Sequence, residues 1–255
     1  MYKDADSLNR TDIVPLLDAD PELGERLSAD DFDSARRALL ARALTIETGI
    51  WHPERIWSQD DHPTLGLLVL DGVLIRQITV ADRPGSELMG SGDLLRPWDQ
   101  DAVVGIPITV QWKVMGRVRL ALLDQRFLLT ACRWPTVVDA LAGRALRRAR
   151  WLSFQNAMKQ IMRVEDRVLL LLWALSDRWG VVTPRGVHVR LKLTHEALGK
   201  LVGARRPSVT TAIGALTEVG AIERTEDGYR LYGDPEQALR RVIAGEVDDS
   251  TEAVA

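Results

Sequence analysis

Between about Thr45 and Leu123 the chain repeats one pattern: short apolar runs broken by Gly, Pro and Asp. The runs are Leu65–Leu70, Val73–Val80, Ala102–Val110 and Arg117–Leu123. Runs of this length between turn formers predict strands. Asp71-Gly72 lies between two of them and predicts a hairpin, because a two-residue turn wants residues that tolerate φ > 0. Pro84-Gly85 and Gly90-Ser91-Gly92-Asp93 predict further turns. Together these features predict a compact antiparallel roll or barrel. Ahead of it, residues 1–40 are polar and helix-prone, and Leu39, Leu40, Ala43 and Leu44 close that stretch at helical spacing.

The pattern changes at Pro135. From there to Gly180 only Gly143 interrupts the chain, which predicts two helices bending near Arg163 to Asp166. The first carries two apolar stripes. One is Val138, Leu141, Ala145, Ala149 and Leu152; the other is Trp151, Phe154, Met158 and Ile161. A surface helix needs one stripe. Two opposed stripes predict a helix covered on both sides, by its own roll and by a second copy of the chain; a central core helix within one subunit is the alternative. In the second helix Val168, Leu171, Leu172 and Leu175 share a face, with Trp179 one turn beyond, as the core helix of a new small domain. The tail from Glu246, rich in Asp, Glu, Ser and Ala, predicts a frayed end.

The segment Leu193 to Leu216 carries the most chemistry. Thr194 is a good N-cap. Ala197, Leu198, Leu201 and Val202 give a short helix one apolar face, and Gly203 sits where it must stop and turn. A second helix follows with Val209, Ile213 and Leu216 in line and Pro207 in its first turn, where a missing N–H is harmless. Two short helices around a glycine turn predict a helix-turn-helix. Arg206, Ser208, Thr210 and Thr211 fall off the apolar face near the N-terminus of the second helix, and Arg205 precedes them. Such side chains meet base edges and phosphates when a helix enters the major groove. Thr194 and His195, at the start of the first helix, join this candidate DNA-binding set. Ile222–Thr225, the turn Glu226-Asp227-Gly228 and Tyr229–Tyr232 predict a β-hairpin wing. A winged helix that contacts protein, in a non-enzymatic ligand sensor or scaffold, is the alternative function.

Charge sharpens this. Lys and Arg number 33 against 36 Asp and Glu, a net charge of −3, so DNA affinity must come from a local basic patch. The single cysteine, Cys132, leaves no intrachain disulfide or Cys-rich metal site and is expected as a small buried hydrophobe. His52, His62, His188 and His195 form no metal-ligand spacing. No phosphate loop, nucleophile elbow or triad is visible, so neither an enzyme, a metal nor a cofactor is expected. Met1 to Arg10 has no apolar h-region, and the longest apolar run, Val168 to Leu175, is too short to span a bilayer, which predicts a cytoplasmic protein without membrane contact. Trp98 and Trp112, among eight tryptophans, are expected chiefly in core packing, with a ligand cavity as the other use.

The sequence resembles the CRP/FNR family of bacterial transcription regulators over roughly residues 40 to 235. Leu193 to Leu216, with Glu223 to Gly233 as wing, carries the sharpest match. Leu67-Leu-Val-Leu-Asp-Gly72 and Glu87-Leu-Met-Gly-Ser-Gly-Asp-Leu94 look like strand and turn elements of the family's cyclic-nucleotide-binding-like roll, and Glu165-Asp-Arg167 falls at the hinge after its long dimerisation helix. The resemblance implies an α+β fold: an antiparallel β-roll with a helical N-terminal extension (1–134), a long dimerisation helix (135–164), a C-terminal winged helix-turn-helix (165–240) and a disordered tail (241–255). It implies a homodimer on a near-palindromic operator in double-stranded DNA, with RNA polymerase as a further candidate partner. Arg206 takes the place of the family's contact arginine, but Pro207 and Thr211 stand where an acidic residue and a second arginine are common. A cyclic-nucleotide pocket of the family's kind needs Gly-Glu after the Gly-Asp turn, then Arg with Ser or Thr. Here Gly92-Asp-Leu-Leu runs into Arg96-Pro97-Trp98, and no arginine follows before Arg117. Cyclic AMP is therefore not expected as effector, and the effector site stays unassigned.

Overall fold

The computed structural model describes residues 9–53, 65–98 and 105–252. The chain divides into two compact units, Met1–Trp151 and Leu152–Ala255. The first begins with strand β1 (Asn9–Pro15), helix α1 (Leu16–Ala19), a 3-10 turn at Pro21–Gly24 and helix α2 (Ala29–Ala38). Strands β2 (Leu40–Ile46), β3 (Gly49–Trp51), β4 (Gly66–Asp71), β5 (Val73–Val80), β6 (Arg83–Gly90), β7 (Leu94–Leu95), β8 (Thr109–Val114) and β9 (Val118–Leu123) follow. Helix α3 (Gln125–Ala131) and the long helix α4 (Pro135–Met158) come next. The strands form two antiparallel sheets, ordered β1-β2-β9-β4-β7 and β3-β8-β5-β6.

The two-residue period of the strands divides their side chains between two cores. Along β9, Val118, Leu120 and Leu122 join Ile46, Trp51, Leu74, Met89 and Trp112 in the core between the sheets. Ala121 and Leu123 turn the other way and meet Leu16, Leu17, Phe127, Trp134, Val137 and Leu141 from the covering helices. Each fully buried leucine here is worth about 1.5–3 kcal/mol.

The roll is as expected, but two of its three expected turns are not. β4 and β5 lie in different sheets, so Asp71-Gly72 is no hairpin; the chain crosses between the sheets there. Gly72 has φ +91°, and a Cβ on it would strike the carbonyl of Arg117. The hairpin joins β5 and β6 instead, through Ala81 and Asp82 at φ 46° and 61°, with Val80 opposite Arg83. Pro84-Gly85 is not a turn but part of β6. That strand lies at a sheet edge, where a proline's missing N–H costs no ladder bond. The Gly90–Asp93 turn forms: Asp93 accepts from the Gly90 N–H at 2.8 Å.

Other expectations change too. Residues 9–15 form a strand, and Leu40 to Leu44 belong to β2, where alternate exposure of Leu40 and Arg42 replaces helical spacing. Of the run Ala102–Val110 only Thr109 and Val110 enter a strand; residues 102–104, like His62, lie outside the described residues. Cys132, at the C-cap of α3, is exposed rather than buried.

Helix α4 departs most from its apolar pattern. Its buried line runs Val137, Leu141, Arg144, Arg148, Trp151, Gln155, Met158, with Arg148 and Trp151 half-buried. Two arginines thus occupy positions that periodicity assigns to apolar residues. Each is held: Arg144 by Asp20 at 2.6 Å and Glu22 at 2.9 Å, Arg148 by Glu87 at 2.6 Å. Val138 and Leu141 pack against the covering-helix core, whereas Ala145, Ala149 and Leu152 of the same expected stripe are exposed. In the other stripe, Met158 is buried and Phe154 exposed.

The second unit contains helix α5 (Val164–Trp179), strands β10 (Gly180–Thr183) and β11 (Gly186–Val189), helices α6 (His195–Val202) and α7 (Arg206–Glu218), strands β12 (Ile222–Arg224) and β13 (Tyr229–Leu231) and helix α8 (Pro235–Glu252). The break between α4 and α5 covers residues 159–163, so it meets the expected bend at Arg163 to Asp166 only at Arg163, and Val164 to Asp166 already form the first turn of α5. The β10–β11 hairpin was not foreseen; it completes the sheet β10-β11-β13-β12. Helix α8 runs into the segment expected to fray, as far as Glu252; residues 253–255 lie outside the described residues.

Candidate nucleic-acid interface

Helices α6 and α7 form the predicted helix-turn-helix, and their local chemistry explains it. The Thr194 hydroxyl caps α6 by accepting from the Ala197 N–H at 3.1 Å. Leu198, Leu201 and Val202 bury one face. Gly203 ends the helix at φ 69°, ψ 39°, the left-handed conformation glycine adopts without a Cβ penalty. Gly199 allows close approach: a Cβ there would lie 2.6 Å from the carbonyl oxygen of Ala204. Helix α7 starts at Arg206 with Pro207 in its first turn, and Val209, Ala212, Ile213 and Leu216 bury its inner face.

Arg167 on α5 braces the turn. Its guanidinium donates to the carbonyls of Val202 at 3.0 Å and Gly203 at 3.3 Å, the orphan acceptors at the C-terminus of α6.

The structure brings the predicted site residues onto one surface. Arg205, Arg206, Ser208, Thr210 and Thr211 are exposed along the start of α7; Thr194 is exposed and His195 half-buried at the start of α6. The threonine hydroxyls are partly committed. Thr210 donates to the Arg206 carbonyl at 3.0 Å and Thr211 to the Pro207 carbonyl at 3.3 Å. Their outward groups are then oxygen lone pairs and methyls, which suit amino groups of adenine or cytosine and the thymine methyl.

His195 ties the two helices together, its Nδ1 2.9 Å from the Thr210 hydroxyl oxygen. Burial, then the charges of Arg224 and Arg206, hold its pKa below the ordinary histidine value. Arg224 was missed by the sequence reading. It is exposed on β12, the first wing strand, and its charge, like that of Arg206, acts on His195. Its signal was a lone basic residue in a strand otherwise read for its hairpin pattern.

The remainder of the wing is not built for phosphate. Glu223 accepts from Arg230 at 2.5 Å and from the Tyr232 hydroxyl at 2.6 Å. At the tip, His188 Nε2 meets Asp227 at 2.9 Å, which pins the turn to β11.

Residues 166–241 match the Crp-like helix-turn-helix domain. The chain is 31% identical over 67 residues to a global nitrogen regulator of Synechocystis sp.; the match covers 26% of this chain and 30% of that protein. The chain thus spans about a third of that relative's length. Among solved structures, it resembles a CooA mutant from Carboxydothermus hydrogenoformans (TM-score 0.60, 14% identity, 94% of this chain and 100% of that one). FixK2 from Bradyrhizobium japonicum gives a TM-score of 0.57 at 14% identity, covering 78% and 96%. A CRP/FNR-family transcriptional regulator from Thermus thermophilus gives 0.52 at 18%, covering 78% and 96%. The chain has the CRP/FNR fold: an antiparallel β-roll, a long helix and a winged helix-turn-helix.

Proposed function

We propose that a chain with this fold works as a homodimeric, sequence-specific DNA-binding transcription regulator whose α7 enters the major groove. One observation carries the reading: Arg205 at the N-cap of α7 and Arg206, Ser208, Thr210 and Thr211 on it lie exposed while Val209, Ala212, Ile213 and Leu216 hold the same helix down. A helix that displays donors and acceptors at its N-terminal end and anchors its opposite face is what groove readout requires. His195 and Thr194 extend that surface from α6, and Arg224 extends it from the wing.

The second copy would meet α4. Ala142, Ala145, Ala149, Leu152 and Asn156 recur at alternating three- and four-residue steps and are all exposed. That spacing is the seam of a two-stranded coiled coil, with Asn156 in the position where one polar residue sets register. A two-fold pair of recognition helices calls for a near-palindromic operator.

The roll keeps no residues for a cyclic nucleotide in the places the family's pattern requires, so regulation by cyclic AMP is not part of this reading. The deciding experiment titrates the full chain with random duplex DNA at several salt concentrations, then sequences the genomic fragments it retains. Steep loss of affinity with salt is the mark of phosphate contacts. No binding at low salt would favour a protein-contacting winged helix.

A further inference from the structure

The core-facing side of the sheet β3-β8-β5-β6 carries one row that is not apolar. Trp51 pairs with Trp112, Trp112 with Arg76, and Arg76 with Glu87, directly across four strands. Residues opposite one another in a ladder share a face. The row two positions along, Val114, Leu74 and Met89, is wholly buried and apolar. The contacts within the charged row are continuous. Trp51 and Trp112 meet edge to face at 5.8 Å, and the Arg76 guanidinium lies 5.7 Å from the Trp112 ring centre. Arg76 is 3.7 Å from Glu87. Glu87 in turn accepts two bonds from Arg148 of α4, Nε at 2.6 Å and Nη2 at 2.8 Å. Asp93 adds a second negative charge near Arg148.

Glu87 is 5% exposed, and a carboxylate is costly in a core unless it is paired. Apolar side chains of the same size would stabilise such a position as well or better. What a bidentate pair adds is geometry: a planar guanidinium fork fits a carboxylate in one orientation. The apolar contacts of α4 carry no such directed geometry, and Arg144, held by Asp20 and Glu22, is a second directed contact on the same buried line. Arg148 lies one residue before Ala149 of the exposed seam.

We propose that Arg148 is a positioning residue: through Glu87 it fixes the rotation and register of α4 on the roll, and so presents the seam Ala142–Ala145–Ala149–Leu152 to the second copy. This rests on the homodimer reading. The row Trp51–Trp112–Arg76–Glu87 is the rigid base from which the fork acts.

The test is a double-mutant cycle on the full chain with Glu87→Gln, Arg148→Gln and both together, followed by sedimentation equilibrium and, in parallel, thermal unfolding. Each single variant should weaken the dimer by about five- to 150-fold, the usual range of coupling between sites, and the double variant should be no weaker than either single one. A merely stabilising pair would couple in unfolding and leave the dimer constant untouched. Arg148→Lys keeps the charge and the apolar stem but cannot grip both oxygens, so it should remain weak as a dimer. It also serves if Arg148→Gln does not fold. The proposal is overturned if folded Arg148→Gln or Arg148→Lys dimerises within twofold of the parent. A parent protein that is monomeric at every concentration overturns the dimer reading itself, an outcome distinct from a dimeric parent with equally dimeric variants.

Discussion

The Nδ1 of His195, the first residue of α6, sits 2.9 Å from the hydroxyl oxygen of Thr210 on α7. The Thr210 proton points to the Arg206 carbonyl at 3.0 Å, so the ring nitrogen supplies the hydrogen of the bond to His195. Its Nε2 is then a bare acceptor in the neutral form, and it has no hydrogen-bond partner among the described residues. Burial first, then Arg224 and Arg206, depress the pKa below 6.5. The stability that goes with neutral His195 is complete above that value and lost as pH falls through the lowered one. Docked phosphates would offset both arginines and favour proton uptake. DNA affinity at fixed salt should therefore rise as pH is lowered from about 7.5 to about 5.5, and rise less in His195→Gln. Fluorescence anisotropy of a labelled duplex measures this; equal pH slopes in parent and variant would reject it.

Arg206→Ala should weaken operator binding by about 1–3 kcal/mol per half-site and relax preference at one base pair, as loss of a base-edge contact does. Arg205→Ala and Arg224→Ala should weaken operator and random duplex alike, each lowering the salt slope by about one unit. Melting temperatures should barely change, because all three side chains are exposed. An Arg206→Ala protein with undiminished affinity and specificity would mean that another face reads the DNA.

On α4, Leu152→Asp and Ala149→Asp should give folded monomers. Leu141→Asp should not, because Leu141 is 3% exposed and packs in the covering-helix core. It should unfold the roll instead, since a buried unpaired carboxylate is among the costliest substitutions. Sedimentation with circular dichroism separates the outcomes. A Leu152→Asp/Ala149→Asp double variant that stays dimeric would place the partner elsewhere.

Gly203→Ala should cost about 1–2 kcal/mol, the penalty for a Cβ in left-handed backbone. Its surroundings are roomy, with Lys159 no nearer than 3.5 Å. Gly199→Ala should cost more although its backbone is helical, because the Ala204 carbonyl blocks the Cβ and α7 would have to shift. Chemical denaturation gives both values; the reverse ranking would show that the turn, not the packing, limits this motif.

Calorimetry should detect no cyclic AMP binding at micromolar concentrations. A cyclic phosphate without an arginine keeps its desolvation cost and gains no ion pair. A low-micromolar dissociation constant would contradict this.

The winged helix was legible because its signals are local: a threonine cap, a glycine stop, a proline start and one apolar face per helix. The roll was legible as a class, but its connections were not. Asp71-Gly72 looked like a hairpin because the same φ > 0 requirement serves a crossing between sheets. The true hairpin uses Ala81-Asp82, which advertises no such need. The buried line of α4 was misread because Arg144 and Arg148 are neutralised by Asp20, Glu22 and Glu87, residues more than fifty positions away in sequence. Periodicity sees a charge and assigns it to solvent; only tertiary pairing makes it a core residue.

The sheet pairings have a further consequence, for how fast the molecule assembles. Thr45 lies opposite Arg119, and Trp51 opposite Trp112, so both sheets of the roll close over long stretches of intervening chain. The sheet of the second unit is two tight hairpins, Thr183 to Gly186 and Arg224 to Tyr229, joined by one longer pairing, Val187 opposite Leu231, whose span is still shorter than either of those in the roll. Folding slows as contacts become more distant in sequence, because loop-closure entropy is lost before the contacts that repay it form. The winged-helix unit is therefore the quicker-folding half of the chain, and during synthesis the roll, although made first, is the half that leaves apolar strand edges waiting for partners not yet translated.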